Sequence, residues 1–342
     1  MRILVIRYSS LGDVVLAGAV PRAIARRHPK AEISFLTKSA YQTIAAHFDA
    51  PVDIVPIDAF HPLRSSLSAL RRRRFDWIVD LHASPRSVIV SKGISHAHLS
   101  RVKKHTKRRG QMVKQKEGLD KPLSVLSNYC DAAKPLGIDE EECVPRLILT
   151  EDEAREAKRL RTERPDALGI GWGARWPTKA IPDSLLHAIL DTAIERATGP
   201  ALTSVRLFGM ASEQDAMRTF ASTIRESHSQ LTVDCHVELT DTALMTHLAA
   251  CAVYLGPDSG LTHLANALQV PTVTLFGPTH PALGFAPTGP SARVFHAGTW
   301  CSPCHKHGAD PCFRDSLYCF EELAPDAIAG SVLELLSQPE SH

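Results

Sequence analysis

The sequence has little net charge and no long apolar run. Its 39 lysine and arginine residues stand against 37 aspartate and glutamate residues, a net charge of +2. The chain as a whole is therefore not a polycation, and an anionic partner would have to be bound by a local patch. No stretch of 18 uncharged apolar residues occurs, so the sequence predicts no transmembrane helix.

The N-terminus lacks the features of a secretory leader. The first apolar run, Ile3–Ile6, ends at the charged Arg7, which is too early for a signal-peptide core, and no small-residue cleavage site follows. We therefore expect a cytoplasmic protein whose eight cysteines are reduced thiols or metal ligands, with disulfides disfavoured. Lone buried thiols are predicted at Cys130, Cys143, Cys235 and Cys251.

The 342 residues contain two series of alternating strands and helices, which predict two parallel sheets. Strands are predicted at 3–6, 33–36, 52–57 and 77–81, and again at 168–172, 205–208, 252–255 and 272–276. A helix is predicted over 14–27 in the first series and over 184–197, 213–225, 242–250 and 261–268 in the second. The predicted domains are 1–160 and 166–320, followed by a C-terminal segment, 321–342, with a helix at 325–336.

A short polar segment, Ser9-Ser10-Leu11-Gly12-Asp13, follows the first predicted strand, at the edge where open α/β sheets bind ligands. It lacks the glycine pattern of a dinucleotide fingerprint, so NAD binding is not expected. Asp13 would present its carboxylate at the start of the next helix. There it can cap the helix, act as a catalytic base, or do both.

Two further segments offer groups that bind phosphate. In 171–179, two glycines allow a ligand to approach the backbone, and Arg175 and Lys179 supply positive charge. In 256–263, a strand passes through a glycine-containing turn into a helix whose first N–H groups lack helical partners. The alternatives are an ordinary surface loop for the first segment and a capped helix with a buried, hydrogen-bonded His263 for the second.

Four cysteines lie within nineteen residues near the C-terminus, at Cys301, Cys304, Cys312 and Cys319. The Cys-x2-Cys pair that opens this segment is typical of tetrahedral metal sites, here for a structural Zn or Fe. Four thiolates would leave no open coordination position, so no catalytic use is expected. Unligated thiols in a loop are the alternative.

The segment 92–117 carries nine lysines and arginines and a single carboxylate. Together with the nearby run 71–74 it indicates an anionic partner, or alternatively a solvated loop. No aromatic residue for base stacking lies between positions 78 and 128, so nucleic acid is not expected. The candidate contacts are Arg71, Arg101, Lys103, Lys104, Lys107 and Arg108.

At these motifs the sequence resembles glycosyltransferase family 9, the bacterial ADP-heptose:lipopolysaccharide heptosyltransferases. The opening, 3–14, is similar to the family's N-terminal motif, and the segments 258–268 and 275–279 are similar to its nucleotide-sugar motif. Trp176-Pro177-Thr178-Lys179 matches the family's lysine loop. Ala180-Ile181-Pro182 stands where the family usually has an aromatic residue.

The resemblance implies a GT-B fold, with two Rossmann-like domains that face each other across a cleft. The first domain would bind the acceptor and the second the ADP-sugar, while the last helix would pack back on the first domain. Transfer would invert the anomeric carbon without a catalytic metal, with Asp13 as general base and Lys179 on the diphosphate. The implied donor-binding residues are Ser10, Gly12, Thr178, Lys179, Glu213, Asp258, Ser259, Gly260, Thr262 and His263.

The implied donor is ADP-heptose, and the implied acceptor is the anionic inner core of lipopolysaccharide, Kdo on phosphorylated lipid A. The enzyme would then work at the inner face of the inner membrane. A protein acceptor is one alternative, because a few relatives that glycosylate proteins carry a four-cysteine metal finger, and another nucleotide sugar is a second. A non-catalytic anion-binding adaptor is a third, against which the joint presence of Asp13, Lys179 and Asp258 argues.

Overall fold

The computed structural model describes residues 1–57, 68, 70–197, 202–308 and 311–338. The chain divides into two compact units: Met1–His105 with Ser124–Ile148, and Thr106–Leu123 with Leu149–His342. The first unit therefore ends earlier than the expected residue 160, and it excludes a short segment that packs in the second unit. Residues 339–342 of the predicted C-terminal segment lie outside the described ranges.

The first unit contains a five-stranded sheet in which every pairing is parallel. Its strands are β1 (Arg2–Ile6), β2 (Glu32–Lys38), β3 (Val52–Ile57), β4 (Phe75–Asp80) and β5 (His96–Arg101). Its helices are α1 (Leu11–Ala17), α2 (Ala19–Arg27), α3 (Gln42–Ala46), α4 (Pro85–Lys92) and α6 (Val125–Ala133). Helix α5 (Thr106–Gln115) lies between α4 and α6 in the chain but belongs to the second unit. The strand order β3-β2-β1-β4-β5 reverses direction between β1 and β4.

The second unit contains a six-stranded parallel sheet with the order β11-β10-β9-β6-β7-β8. Its strands are β6 (Leu168–Gly171), β7 (Ser204–Gly209), β8 (Thr232–Val237), β9 (Val253–Pro257), β10 (Thr272–Phe276) and β11 (Ala292–His296). Besides α5, its helices are α7 (Glu151–Glu163), α8 (Asp183–Arg196), α9 (Gln214–Ser227), α10 (Asp241–Ala249), α11 (Gly260–Ala267), α12 (Tyr318–Glu321) and α13 (Pro325–Ser337). Here the order reverses between β6 and β9.

The eight predicted strands are present, and the structure adds β5, β8 and β11. The four inner residues of β1, Ile3 to Ile6, are fully buried, as expected of an apolar run inside a parallel sheet. The added strands lie at sheet edges and read HAHLSR, TVDCHV and ARVFH. Their polar residues and partial exposure leave no continuous apolar run by which the sequence could reveal them.

The helix predicted over 14–27 is divided into α1 and α2 at Gly18. A Cβ atom at Gly18 would lie 2.7 Å from the ring of Phe48. Glycine therefore allows the helical segment to approach this aromatic side chain closely.

The closing helix α13 packs in the core of the second unit, with which it is grouped. Its residues Ile328, Val332 and Leu335 join the apolar cluster that also contains Ile189 of α8. The sequence prediction treated this segment as separate from the ADP-sugar domain. Among the described helices, none combines the length and apolar character that a membrane crossing requires.

Cys130 and Cys143 form a disulfide across 13 positions of the first unit. The expectation of two lone thiols at these positions is therefore wrong. Spacing alone did not reveal the pair, because the turn after α6 brings the two residues together. Cys235 and Cys251 are free cysteines, as expected; Cys251 is buried, while Cys235 is partly exposed.

Candidate active site

Both sheets carry candidate residues at the point where their strand order reverses. In open α/β sheets, the carboxyl ends of the two strands beside this point form a crevice in which ligands bind. In the first unit, the segment after β1 contains Asp13. In the second unit, the segments after β6 and β9 contain Lys179 and Asp258.

The carboxylate of Asp13 is held by three neighbouring residues. Its Oδ2 lies 2.7 Å from Nη2 of Arg7 and accepts hydrogen bonds from Oγ (2.9 Å) and N (3.3 Å) of Ser10. Its Oδ1 accepts a hydrogen bond from Tyr129 Oη at 3.0 Å. The bond from the Ser10 amide is a capping contact at the start of α1, so the expected cap is present, together with an ion pair that the sequence did not reveal.

Burial alone would raise the pKa of Asp13. The Arg7 guanidinium, aided by the hydrogen bonds from Ser10 and Tyr129, outweighs that effect and lowers the pKa below its usual value of 3.8. Asp13 is therefore ionised at neutral pH. Ser10 is exposed and Gly12 is buried within α1.

In the second unit, two segments remote in sequence meet at Asp258. Its Oδ2 lies 2.7 Å from Nζ of Lys179 and accepts a hydrogen bond from Oγ1 of Thr279 at 2.8 Å. The side chains of Lys179 and Asp258 are 12% and 11% exposed. The alternative of a solvated lysine in a surface loop is therefore wrong, whereas Arg175 in the same loop is exposed.

The turn after β9 leads into α11, with Ser259 as the residue before the helix and Gly260 as its first residue. Thr262 is buried and donates a hydrogen bond to the carbonyl of Pro257 at 2.6 Å, which closes the turn. His263 is buried, with its ring 6.4 Å from that of Phe285. The first N–H groups of α11 thus lie in the segment that carries Asp258.

Glu213 lies beside Gly173, two positions beyond β6, and Gly209, the last residue of β7. Its Oε2 accepts a hydrogen bond from the Met210 amide at 2.7 Å. A Cβ atom at Gly173 would overlap the Glu213 carboxylate, and one at Gly209 would lie 3.0 Å from Glu213 Oε2. The absence of a side chain at position 173 therefore makes room for the carboxylate beside the lysine loop.

The four clustered cysteines line one cavity of about 200 Å³, together with Thr178 of the lysine loop. Within the described ranges, no group of three or more His, Cys, Asp or Glu side chains is arranged to hold a metal ion. Burial, followed by the charges of the other three cysteines, raises the pKa of Cys319 to about 12. The structure thus brings the predicted thiols around one cavity without a ligating arrangement.

The basic residues belong to both units, and two of them are engaged within the first unit. Arg101 is bound inside the first unit, where its Nε lies 2.8 Å from the fully buried Asp80, and the exposed Arg71 donates to the carbonyl of Gly93 at 3.1 Å. Lys103 and Lys104 are exposed in the first unit, whereas Lys107 and Arg108 belong to the second. The single anion-binding run expected from sequence is therefore divided between two units.

The sequence did not predict the contacts of three residues with the two candidate carboxylates. Arg7 lies within the motif at 3–14 and Thr279 within the motif at 275–279, but nothing in the sequence assigned either residue a carboxylate partner. Tyr129 lies 116 positions from Asp13, and only the packing of α6 brings its hydroxyl to that carboxylate.

Known proteins share both the sequence pattern and the fold. The model of "Glycosyltransferase family 9 (heptosyltransferase)" matches residues 63–310. Lipopolysaccharide heptosyltransferase 1 of Pseudomonas aeruginosa is 23% identical over 100% of this chain and 99% of its own length. Lipopolysaccharide heptosyltransferase 2 of Escherichia coli K12 is 26% identical, and the alignment covers 100% of both chains.

A solved structure shows the same architecture. The E. coli ADP-heptose lipopolysaccharide heptosyltransferase II superposes with a TM-score of 0.71 at 22% identity, covering 98% of each chain. The predicted fold class, GT-B with two parallel-sheet α/β domains, is thereby confirmed. The match of the family model to most of the chain shows that this protein belongs to glycosyltransferase family 9, the heptosyltransferases, and is a glycosyltransferase.

Proposed function

We propose that the protein is an inverting glycosyltransferase that transfers a heptose from ADP-heptose to the inner core of lipopolysaccharide. The observation that carries the proposal is the meeting of Lys179, Thr279 and the strand–turn–helix segment at Asp258. This arrangement lies where a doubly wound sheet binds its ligand. The two relatives named above are lipopolysaccharide heptosyltransferases and align with the whole chain.

The second unit would bind the sugar nucleotide. Lys179 and the first N–H groups of α11 would hold the diphosphate, and Glu213 would accept hydrogen bonds from the ribose hydroxyls. When the bond between sugar and phosphate breaks, negative charge develops on the departing oxygen. A fixed ammonium group and a helix N-terminus stabilise such charge, so no step of this proposal requires a metal ion.

The first unit would bind the acceptor, with Asp13 as general base. The acceptor hydroxyl attacks the anomeric carbon from the face opposite the diphosphate, and the new C–O bond forms as the bond to ADP breaks. The hydroxyl proton passes to Asp13, and the configuration inverts. Because its pKa is lowered, Asp13 is a weak base and takes the proton late; positioned bases typically contribute about 10²–10⁴-fold in rate.

The acceptor class is proposed from charge. Lys103 and Lys104 are exposed in the first unit, where they suit a phosphorylated, Kdo-bearing core. Lys107 is exposed in the second unit, so cations of both units could attract such a substrate. The lipid part of that acceptor would bring the enzyme to the inner face of the inner membrane.

The deciding experiment is a transfer assay with ADP- and UDP-sugars against defined core acceptors and a protein acceptor. We expect ADP release, a heptosylated core, and an inverted anomeric centre by NMR spectroscopy. If only the protein acceptor is glycosylated, the proposed acceptor is wrong. If only another nucleotide sugar serves as donor, the proposed donor is wrong. If no combination of donor and acceptor gives either transfer or donor hydrolysis, the result would favour the non-catalytic anion-binding adaptor.

The four clustered cysteines would hold a structural Zn or Fe. Their chemistry suits either metal, and the four thiols already line one cavity. A bound cation would offset the mutual repulsion that helps to raise the pKa of Cys319. Since Thr178 lines the same cavity, the metal would brace the lysine loop without entering the reaction.

Elemental analysis of the purified protein tests this site. We expect about one metal ion per chain in the wild type and none in Cys301→Ser/Cys304→Ser. Cys235→Ser is the matched control, because Cys235 is a free cysteine outside the segment. A folded, metal-free wild type with normal donor binding would dismiss the site.

A further inference from the structure

A second polar cluster lies at the reversal point of the first sheet, beside Asp13. Strands β1 and β4 are neighbours there, with Ile6 paired to Asp80. Tyr8 stands two positions beyond the end of β1, and His82 stands two positions beyond the end of β4. Their ring centroids are 4.6 Å apart. The two side chains therefore occupy the crevice in which an α/β sheet of this topology binds ligands.

The segment that carries His82 is held in place by the fully buried Asp80. Oδ1 of Asp80 accepts hydrogen bonds from the amides of His82 at 3.0 Å and Ala83 at 2.8 Å. Its Oδ2 accepts from Ser87 Oγ and Arg101 Nε, each at 2.8 Å. Ala83 has a φ of 44°, in the left-handed region that residues with a Cβ atom avoid. Such backbone strain is found mainly where surrounding contacts hold a functional segment.

Several polar atoms of this cluster have no hydrogen-bond partner among the described residues. Oη of Tyr8, Nδ1 of His82 and Nε of Arg86 are each buried without a hydrogen bond. The guanidinium carbon of Arg86 lies 5.6 Å from the centroid of the Tyr8 ring, so the three side chains form one group. Native proteins leave few buried polar atoms unpaired, and a ligand that is part of the working complex is one explanation for a group of them.

The charges around this cluster favour an anion. The carboxylates of Asp13 and Asp80 are already paired with Arg7 and Arg101. No carboxylate in the described part of the chain forms an ion pair with Arg86. Burial raises the pKa of Tyr8, so its hydroxyl stays a donor. Burial, with the charges of Arg7 and Lys104, lowers the pKa of His82 to about 4, which leaves its ring neutral at pH 7.

We propose that Tyr8, His82 and Arg86 form a subsite that binds an anionic oxygen of the acceptor, on the sugar whose hydroxyl faces Asp13. Arg86 supplies the charge, while the Tyr8 hydroxyl and the His82 ring donate hydrogen bonds; donors of this kind suit carboxylate and phosphate oxygens. The Asp13 carboxylate is close enough to act electrostatically on the His82 ring. Anchoring this sugar would orient its hydroxyl toward the base. The inference rests on the proposed function, because it concerns that reaction's acceptor.

Steady-state kinetics with the full-length enzyme test the subsite. We expect Arg86→Met to raise the acceptor KM about 10- to 100-fold and Tyr8→Phe about 5-fold, with the KM for ADP-heptose unchanged. His82→Leu should behave like Tyr8→Phe, whereas His82→Gln retains a neutral donor and should stay within about 3-fold of wild type. Arg27→Met, at an exposed cation of α2, is the matched control.

A purely structural role predicts a different pattern. Tyr8→Phe removes an unpaired buried oxygen, so the melting temperature should hold or rise while the acceptor KM increases. A lowered melting temperature with an unchanged KM would overturn the subsite. Acceptors that lack either the carboxylate or the phosphate identify the anion that binds. Loss of that anion should raise the acceptor KM of the wild type but leave the KM of Arg86→Met unchanged.

Direct binding separates this inference from the proposed function. Free Kdo and inorganic phosphate are titrated into wild type and Arg86→Met while the His82 side-chain resonance is followed by NMR. Binding that Arg86→Met loses supports the subsite, even if the wild type transfers no sugar. Normal transfer with unaltered acceptor KM in the Tyr8, His82 and Arg86 variants would retain the proposed function and reject the subsite.

Discussion

Nζ of Lys179 lies 2.7 Å from Oδ2 of Asp258, and the two residues are 79 positions apart in the chain. The pair joins the loop after β6 to the turn after β9, and both side chains are largely buried. A lysine held in this way loses little side-chain freedom when a ligand binds. Asp258 therefore positions the cation that the proposed reaction uses for the diphosphate.

Replacement of Lys179 by alanine should weaken the binding of ADP-heptose. A hydrogen bond to a charged group contributes about 1.5–3 kcal/mol, so we expect the dissociation constant to rise about 10- to 100-fold. Isothermal titration calorimetry with the donor alone measures this change. Lys158→Ala, at an exposed position of α7, is the control. Equal affinities of wild type and Lys179→Ala would remove Lys179 from the phosphate site.

Replacement of Gly173 by alanine should also impair donor binding, through Glu213. The added Cβ would overlap the Glu213 carboxylate and displace it, so we expect a loss of about 10-fold in donor affinity. Gly330→Ala is the matched control, since its added Cβ would meet no described atom within 4 Å beyond its chain neighbours and its own helix backbone. That change lies inside α13 and should stabilise the protein by about 0.5–1 kcal/mol without changing donor affinity. Unaltered binding in Gly173→Ala would argue against Glu213.

Between about pH 5 and pH 8, protonation of Asp13 should not reduce the activity, because even an aspartate of ordinary pKa is almost fully ionised in that range. The Arg7 charge keeps the pKa of Asp13 below 3.8. Arg7→Met removes the leading cause of this lowering, while the opposing effect of burial remains. The acid limb of kcat/KM should therefore move to higher pH in that variant, but not in Arg2→Met at an exposed arginine. An unmoved limb would show that Asp13 does not control it.

The same shift has a consequence for stability. The folded pKa of Asp13 lies below the value of 3.8 that applies to the unfolded chain. The contribution of Asp13 is therefore fully present above that value and is lost as the pH falls through the folded pKa. Denaturation by urea from about pH 5 down to about pH 2 should show a smaller loss of stability for Asp13→Asn than for wild type, and the difference should arise below the pKa of the unfolded chain.

Reduction of the bond between Cys130 and Cys143 should destabilise the first unit. The disulfide closes a loop of 13 positions, and such cross-links typically contribute about 2–4 kcal/mol. Urea denaturation of oxidised and reduced protein measures the difference. The stability of Cys130→Ser/Cys143→Ser should equal that of the reduced wild type and should not change when reductant is added. The stability of Cys235→Ser should fall with reductant as that of the wild type does. Identical curves with and without reductant would mean that the bond is absent in solution.

Local patterns in the sequence were enough to locate most strands and the polar segments at the ends of β1, β6 and β9. Apolar runs such as 3–6 and 272–276 are buried parallel strands, and the polar segments that follow β1, β6 and β9 lie at the carboxyl edges of the sheets. These features are local, because hydrophobic periodicity and turn residues act over a few positions. The edge strands β5, β8 and β11 carry no such signal, since partial exposure removes the need for an apolar run.

Which side chains are partners depends on packing between distant parts of the chain. Asp13 is paired with Arg7 and Tyr129, Lys179 is paired with Asp258, and Arg101 is engaged by a buried carboxylate rather than left for a ligand. Ion pairs and hydrogen bonds depend on distances of about 3 Å between groups that packing brings together from distant parts of the chain. No spacing in the sequence encodes those distances, because they result from the order in which the strands join their sheets.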